Sequence, residues 1–387
     1  MSIIKKILRK IYKLVIGNKV PYISQYPFVS DYGIIATHIS AYGYSNMGDA
    51  YLPIALRNLF NLQIGVKKWI NRSVYQKVTN SDISVYNKSD LVVIGGGGLF
   101  LKDTNPNDLS GWQWSCSLDM LDKIESPLIA FAIGYNRFRG QDDFEPIFTK
   151  HLNKFIEKAQ FVGIRNHGSI EHLKRYLKTE TLKNKLVFQP CMTTLTSLLY
   201  PHLHVYEHKE DFIALNCAFD RQSMRKSNDE ILKGIARVIS KLSEITNIKI
   251  YAHSPADGKI CPYLDALSIN YEYIEFRKTE QMLAAYSSPK LVIGMRGHAQ
   301  MIPFGCNTPI LSIISHDKMQ WFLDDIHHPE WGVDVLNPSF ETELLEKAKE
   351  LYNSTDTLIP VLKEEQQILW NITMQNMNFI KSIIKNK

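Results

Sequence analysis

The feature that most constrains this chain is an alternation. Short β-branched runs, several ending in glycine, are separated by amphipathic stretches of helical length. GIIATHIS (33–40), DLVVIG (90–95), PLIAFAIG (127–134), QFVGIR (160–165) and LVFQP (186–190) read as strands, with helices expected at Tyr51–Phe60, Asp143–Lys158 and Ser169–Lys178. Strands spaced by helices pack as a parallel sheet covered on both faces. The rhythm lapses across 192–211 and then resumes with FIALNCA (212–218), NIKIYAHS (247–254), LVIGMR (291–296) and PILSII (309–314). A helix over Ile231–Ile245 belongs to this second series, and from Glu341 the pattern is mainly helical. A chain of 387 residues has room for two domains. The expected layout is an N-terminal helix at 1–20, α/β domains at 32–205 and 206–340, and helices at 341–387 bracing the two. The fold class is therefore α/β, with two similar halves facing a cleft.

Charge narrows the function classes. Lys5, Lys6, Arg9, Lys10, Lys13 and Lys19 stand in an N-terminal stretch without acids, and the net charge of the whole chain is also only +6. The body is thus balanced, without the basic excess expected of a nucleic-acid binder. Ile3, Ile4, Ile7, Leu8, Ile11, Leu14 and Val15 recur at helical spacing between those cations. Such a helix suits either peripheral contact with an anionic membrane through residues 3–15 or packing against protein. The five cysteines are scattered, with no Cys-x-x-Cys pair, so free thiols, no metal and a cytoplasmic location are expected.

Four segments could carry chemistry. Gly43-Tyr-Ser-Asn46-Met-Gly48-Asp49 lies between a strand and a helix, where unpaired amides bind anions or hydroxyls; Asp49 could act as a base or cap the helix. Gly95-Gly96-Gly97-Gly98 lies at the C-terminal end of a buried strand, and without Cβ atoms its backbone can approach a ligand or pack closely on a neighbouring strand. Ile164-Arg165-Asn166-His167-Gly168-Ser169 brings a guanidinium to a strand end, with Ser169 as the expected helix cap. Met295-Arg296-Gly297-His298 sits at a strand end and a helix start together, where open α/β sheets bind ligands, and Lys318 follows the next strand. Trp112 and Trp114 could stack on a sugar or pack inside. His202, His204, His327 and His328 lack partners at metal-ligand spacing.

In this order, Gly43, Asn46, Gly48, Asp49, Gly96, Gly97, Arg165, Ser169, Gly294, Arg296, Gly297, His298, Ala299 and Lys318 resemble the polysaccharide pyruvyl transferase family over about residues 33–330. The resemblance implies two Rossmann-like domains in a GT-B-like arrangement. It also implies transfer of pyruvate from phosphoenolpyruvate to a sugar of a cell-surface polysaccharide or its lipid-linked precursor, giving a ketal and phosphate without a cofactor. By position, Arg165 and Arg296 would hold the donor's anionic groups, His298 would transfer a proton and Lys318 would contact phosphate. Asn46, Gly48, Asp49, Gly96, Gly97, Gly98 and Gly297 would complete the substrate site. The chain departs from the family pattern at Asn166, at Gln189-Pro190-Cys191 and at Ser315-His316-Asp317, which alters the surroundings of the cations. A glycosyltransferase using a nucleotide sugar, or a non-catalytic glycan-assembly subunit, would use the same scaffold.

Overall fold

The computed structural model describes residues 33–42, 46–201, 209–217 and 228–385. The segment expected as a helix at 1–20, with its membrane contact at 3–15, lies outside the described residues, as do Gly43, His202 and His204.

The first sheet comprises β1 (Ile34–Ser40), β2 (Val66–Ser73), β3 (Leu91–Phe100), β4 (Leu128–Tyr135), β5 (Phe161–Ile164) and β6 (Leu186–Phe188), in the order β2-β1-β3-β4-β5-β6. The second comprises β7 (Glu210–Asn216), β8 (Asn247–Ala252), β9 (Tyr271–Glu275), β10 (Pro289–Gly294), β11 (Ile310–Ile314) and β12 (Gly332–Asp334), in the order β12-β11-β10-β7-β8-β9. Neighbouring strands are parallel throughout. Parallel strands covered on both faces read as continuous apolar runs, and Leu91, Val92, Val93 and Ile94 are indeed wholly buried. Strand order reverses between β1 and β3 in one sheet and between β7 and β10 in the other. Ligands of open α/β sheets lie at such reversals, and residues following β1 and β10 line one shared cleft.

Five helices position that cleft: α1 (Met47–Ile64), α2 (His167–Lys174), α3 (His298–Gly305), α4 (Asp317–Asp325) and α5 (Thr355–Lys385). Asn46 starts α1, and Gly65, at φ 76°, ends it by returning its amide to Phe60 and Asn61. Most of α1 is buried because it packs between the first sheet and helices of the second half. One apolar cluster includes Tyr51, Phe60 and Phe131 together with Tyr251, Tyr286 and Ile302, so the halves share part of their core. Along α5, the Gln366 amide donates to Asn307 Oδ1 at 2.7 Å in the second half, and Asn376 donates to the Phe188 carbonyl at 2.9 Å in the first. All five cysteines are free. Among the described residues no helix is long and apolar enough to cross a membrane.

Candidate active site

The first wall of the cleft begins at the turn into α1. Asn46 is extended, and its Oδ1 accepts from the Gly48 amide at 3.0 Å. Asn46 is therefore the cap, and Asp49 is left in the first turn with its carboxylate on the cleft. Met47 donates its amide to the His253 carbonyl at 3.0 Å, so this turn rests on the second half. Glycine is required at 48 because a Cβ there would stand 2.5 Å from the Cβ of His298.

The tetraglycine run was expected at the C-terminal end of its strand, and β3 runs through it to Phe100, with irregular register beyond Gly97. A Cβ on Gly95 would strike the Phe131 carbonyl, so that residue serves strand packing. Gly96 and Gly97 take φ of 69° and 100°, which disfavours any side chain, and with Gly98 they line the cleft. The two readings of the run thus divide it between them.

From the other half, β10 delivers Met295, Arg296 and Gly297 to the cleft, and α3 opens with His298. His298 Nδ1 stands 3.2 Å from Asp49 Oδ1, a contact between the two halves. Burial opposes a charged imidazole, but the hydrogen bond and negative charge of Asp49, with a contribution from Cys191, outweigh it and raise the His298 pKa. Burial likewise opposes the Asp49 carboxylate. His298, Lys318 and Arg296 overcome it and bring its pKa down to about 2. Asp49 lies deep in the molecule, yet half of its side chain faces the open cleft, so screening by cleft water discounts any stability drawn from this pair. Among the described residues, the buried Nε2 of His298 makes no hydrogen bond of good geometry.

Arg296 carries an ion pair within its own half. Its Nε lies 3.0 Å from both carboxylate oxygens of Asp257, and its Nη2 lies 2.5 Å from Oδ1. Asp257 is fully buried and also accepts from the His253 amide at 2.9 Å and from Asn216 Nδ2 at 3.1 Å. Arg296 therefore reaches the cleft with its charge already matched. Arg165 differs: it is buried against Gly134, its Nε has no partner, and it lines the cleft without a carboxylate at ion-pair distance among the described residues. Lys318, in the first turn of α4, adds a second cation, with its Nζ 5.5 Å from the centre of the Phe138 ring.

The cleft, of about 260 Å³, thus gathers Asn46, Asp49, Gly96, Gly97, Gly98, Arg165, Arg296, Gly297, His298 and Lys318. Gly48 lies behind it as a spacer. Ser169 is not the cap of α2: the Asn166 side chain accepts the Ser169 amide at 2.7 Å, while the Ser169 hydroxyl holds the Tyr135 amide at 3.1 Å. Trp112 and Trp114 are wholly buried against Phe155 and His151, so stacking on a ligand is ruled out for them. His327 pairs with Glu365 and His328 stacks on Trp331. Among the described residues no group of three or more potential metal ligands converges.

Sequence reasoning missed Asp257, His253, Tyr75, Gln113 and Asn136. His253 is buried, donates or accepts at Tyr286 Oη over 2.7 Å, and is held well below the usual histidine pKa by burial and then by Arg296 and His298. A polar residue at the end of β8 was the available signal for it, and the aspartate in the Ser254-Pro255-Ala256-Asp257 turn was the signal for Asp257.

Comparison with known proteins follows from this geometry. A search of curated protein sequences returns no significant match. Among solved structures, S. aureus MnaA with UDP superposes at a TM-score of 0.51 and 11% identity, over 83% of this chain and 90% of that one. The Methanocaldococcus jannaschii UDP-GlcNAc 2-epimerase in complex with UDP-GlcNAc and UDP gives 0.50 and 13%, over 82% and 92%. At such identities the likeness establishes the fold: two Rossmann-like domains in a GT-B-like arrangement. The family model described as polysaccharide pyruvyl transferase matches residues 6–317. That span includes the Asp49–His298 pair and Arg165, and by it the chain belongs to the polysaccharide pyruvyl transferase family, a family of transferases.

Proposed function

We propose that the cleft transfers pyruvate from phosphoenolpyruvate to two hydroxyls of a sugar in a cell-surface polysaccharide or its lipid-linked precursor. The observation that carries this reading is one cleft holding a carboxylate-paired histidine together with a buried arginine that no acid among the described residues neutralises. Phosphoenolpyruvate is anionic at both its carboxylate and its phosphate, so Arg165 and Lys318 suit it, while Arg296 holds the β10 end in place. His298, its pKa raised by Asp49, supplies a proton to the methylene carbon, and the double-bond electrons form the new C–H bond. The positive charge that develops at the neighbouring carbon is met by one sugar hydroxyl. Phosphate then leaves from that carbon and a second hydroxyl replaces it. The diol gives up two protons, which balance the one added to carbon and the one carried away by phosphate. Incubation with phosphoenolpyruvate and a panel of glycans tests this reading. Phosphate release matched by a pyruvate-sized mass gain on the glycan is expected, and phosphate without glycan modification contradicts it.

A nucleotide-sugar donor is the second reading, favoured by the UDP held in the two GT-B-like structures compared above. Thermal-shift titration separates the two: stabilisation by phosphoenolpyruvate but not by UDP-sugars supports pyruvyl transfer, and the reverse supports glycosyl transfer. Membrane contact through residues 3–15 would bring the enzyme to lipid-linked acceptors, and vesicle co-sedimentation of the full chain with and without anionic lipid tests it.

A further inference from the structure

We propose that Arg139, in the loop that follows β4, is a positioning residue: by bridging Asp317 and Asp334 it holds Lys318 of the second half at the cleft for an anionic donor. This rests on the pyruvyl-transfer reading and deepens it, through residues at which the chain departs from the family pattern.

His316 and Asp317, two of those departures, meet this loop. Arg139 Nε donates to Asp317 Oδ1 at 2.9 Å, while Nη1 and Nη2 donate to the two carboxylate oxygens of Asp334 at 3.0 and 2.7 Å. Beside it, the Phe138 ring stacks on His316, with centroids 5.3 Å apart and planes 25° from parallel. The centre of the same ring lies 5.5 Å from Lys318 Nζ, within reach of a cation–π contact. Phe138, His316 and Lys318 line the cleft, whereas Arg139 does not. Any effect of Arg139 on a bound donor must therefore pass through its neighbours.

Strand register explains why the bridge acts on Lys318. Ile314, at the end of β11, is paired with Asp334, at the end of β12, and Asp317 opens α4 shortly afterwards. Arg139 thus fastens the turn between β11 and α4 from both sides, immediately before Lys318. The loop is itself set. Gln141 donates its amide to the Phe138 carbonyl at 2.9 Å and accepts the Phe138 amide on Oε1 at 3.1 Å. Gly140, at φ 81°, is the left-handed residue that closes such a turn. Gln141 Nε2 also donates to Asp103 Oδ2 at 3.1 Å, which ties the turn to the first half. A lysine is a point charge on a flexible stem, so its charge counts at the cleft only to the extent that the stem is confined. The bidentate pair supplies direction more than stability, because all three charged groups are partly exposed.

Calorimetric titration of phosphoenolpyruvate into the full chain tests this, using the wild type, Arg139→Ala, Lys318→Ala and the double variant. Arg139→Ala is expected to weaken binding by about threefold or more, with the melting temperature nearly unchanged. In the Lys318→Ala background the same change should cost less than about twofold, because the residue it acts through is gone. Asp334→Asn breaks the bridge from the other half and should repeat the loss, which guards against a misfolded Arg139 variant. Unchanged affinity in both Arg139→Ala and Asp334→Asn would overturn the positioning role with the donor reading untouched. So would losses that multiply in the double variant, as they would if the whole seam opened. Failure of the wild-type chain to bind phosphoenolpyruvate would instead remove the reading on which the role rests.

Discussion

Two arginines that the sequence presents as equals become different residues in the folded chain. Arg296 neutralises Asp257, which is wholly buried, so Arg296→Ala strands a carboxylate in the interior. Removing one partner of such a pair costs roughly 3–5 kcal/mol, reduced here because the His253 amide and Asn216 still bond the carboxylate. A clear fall in melting temperature is expected by calorimetry. Arg165→Ala strands no acid, so stability should change little while affinity for phosphate falls roughly tenfold or more, the order of a lost charged hydrogen bond. Equal destabilisation of both variants would contradict the assignment. His298 sets the pH dependence. Its pKa is raised, so the acid form persists to higher pH than in an ordinary histidine, and activity that needs it is present below that pKa and declines as pH rises through it. Asp49 stays ionised down to about pH 2, so it adds no acidic limb in the working range. In Asp49→Asn, burial is left to dominate His298, and the alkaline limb should move to lower pH. A rate profile on that limb that does not move would show that Asp49 has no hold on the imidazole.

At the scale of elements, the strands buried on both faces were legible, and of the four edge strands only β6, read as LVFQP, was. β2 reads Val-Lys-Lys-Trp-Ile-Asn-Arg-Ser, with Lys67 and Lys68 in the exposed part, and β9 is similarly mixed. Edge strands carry charge to discourage pairing with other chains, which erases the apolar run that reveals a central strand. β12 has only three residues. The caps misled for a related reason: at both Asn46 and Asn166 the capping side chain precedes the residue that the sequence pattern suggested. The Arg296–Asp257 pair was illegible because the partners follow β10 and β8, which only the strand order β10-β7-β8 brings close, with Asn216 of β7 between them. Glycines give the sharpest test of an element. Gly96→Ala imposes a positive φ on a residue with a Cβ, at about 1–2 kcal/mol, and should lower both stability and turnover. Gly48→Ala drives a methyl group into His298, so turnover should fall far more than melting temperature does. Comparable kinetics in Gly48→Ala and the wild type would show that the α1 turn need not touch α3.

The molecule as a whole is joined along several lines. Beyond the shared apolar cluster, Arg139 from the first half pairs with Asp317 at 2.9 Å and Asp334 at 2.7 Å in the second, and His167 pairs with Asp325 at 2.8 Å. α5 bonds to both halves and buries Leu362, Leu369, Met377 and Ile380. Halves with separate cores would melt separately. A common core predicts a single cooperative transition by calorimetry, and two resolved transitions would show that the seam contributes little. The seam also bears on chemistry, since Asp49 and His298 stand on opposite sides of it. A gaping molecule would hold a disarmed acid, its imidazole robbed of the counter-charge that keeps a proton on it.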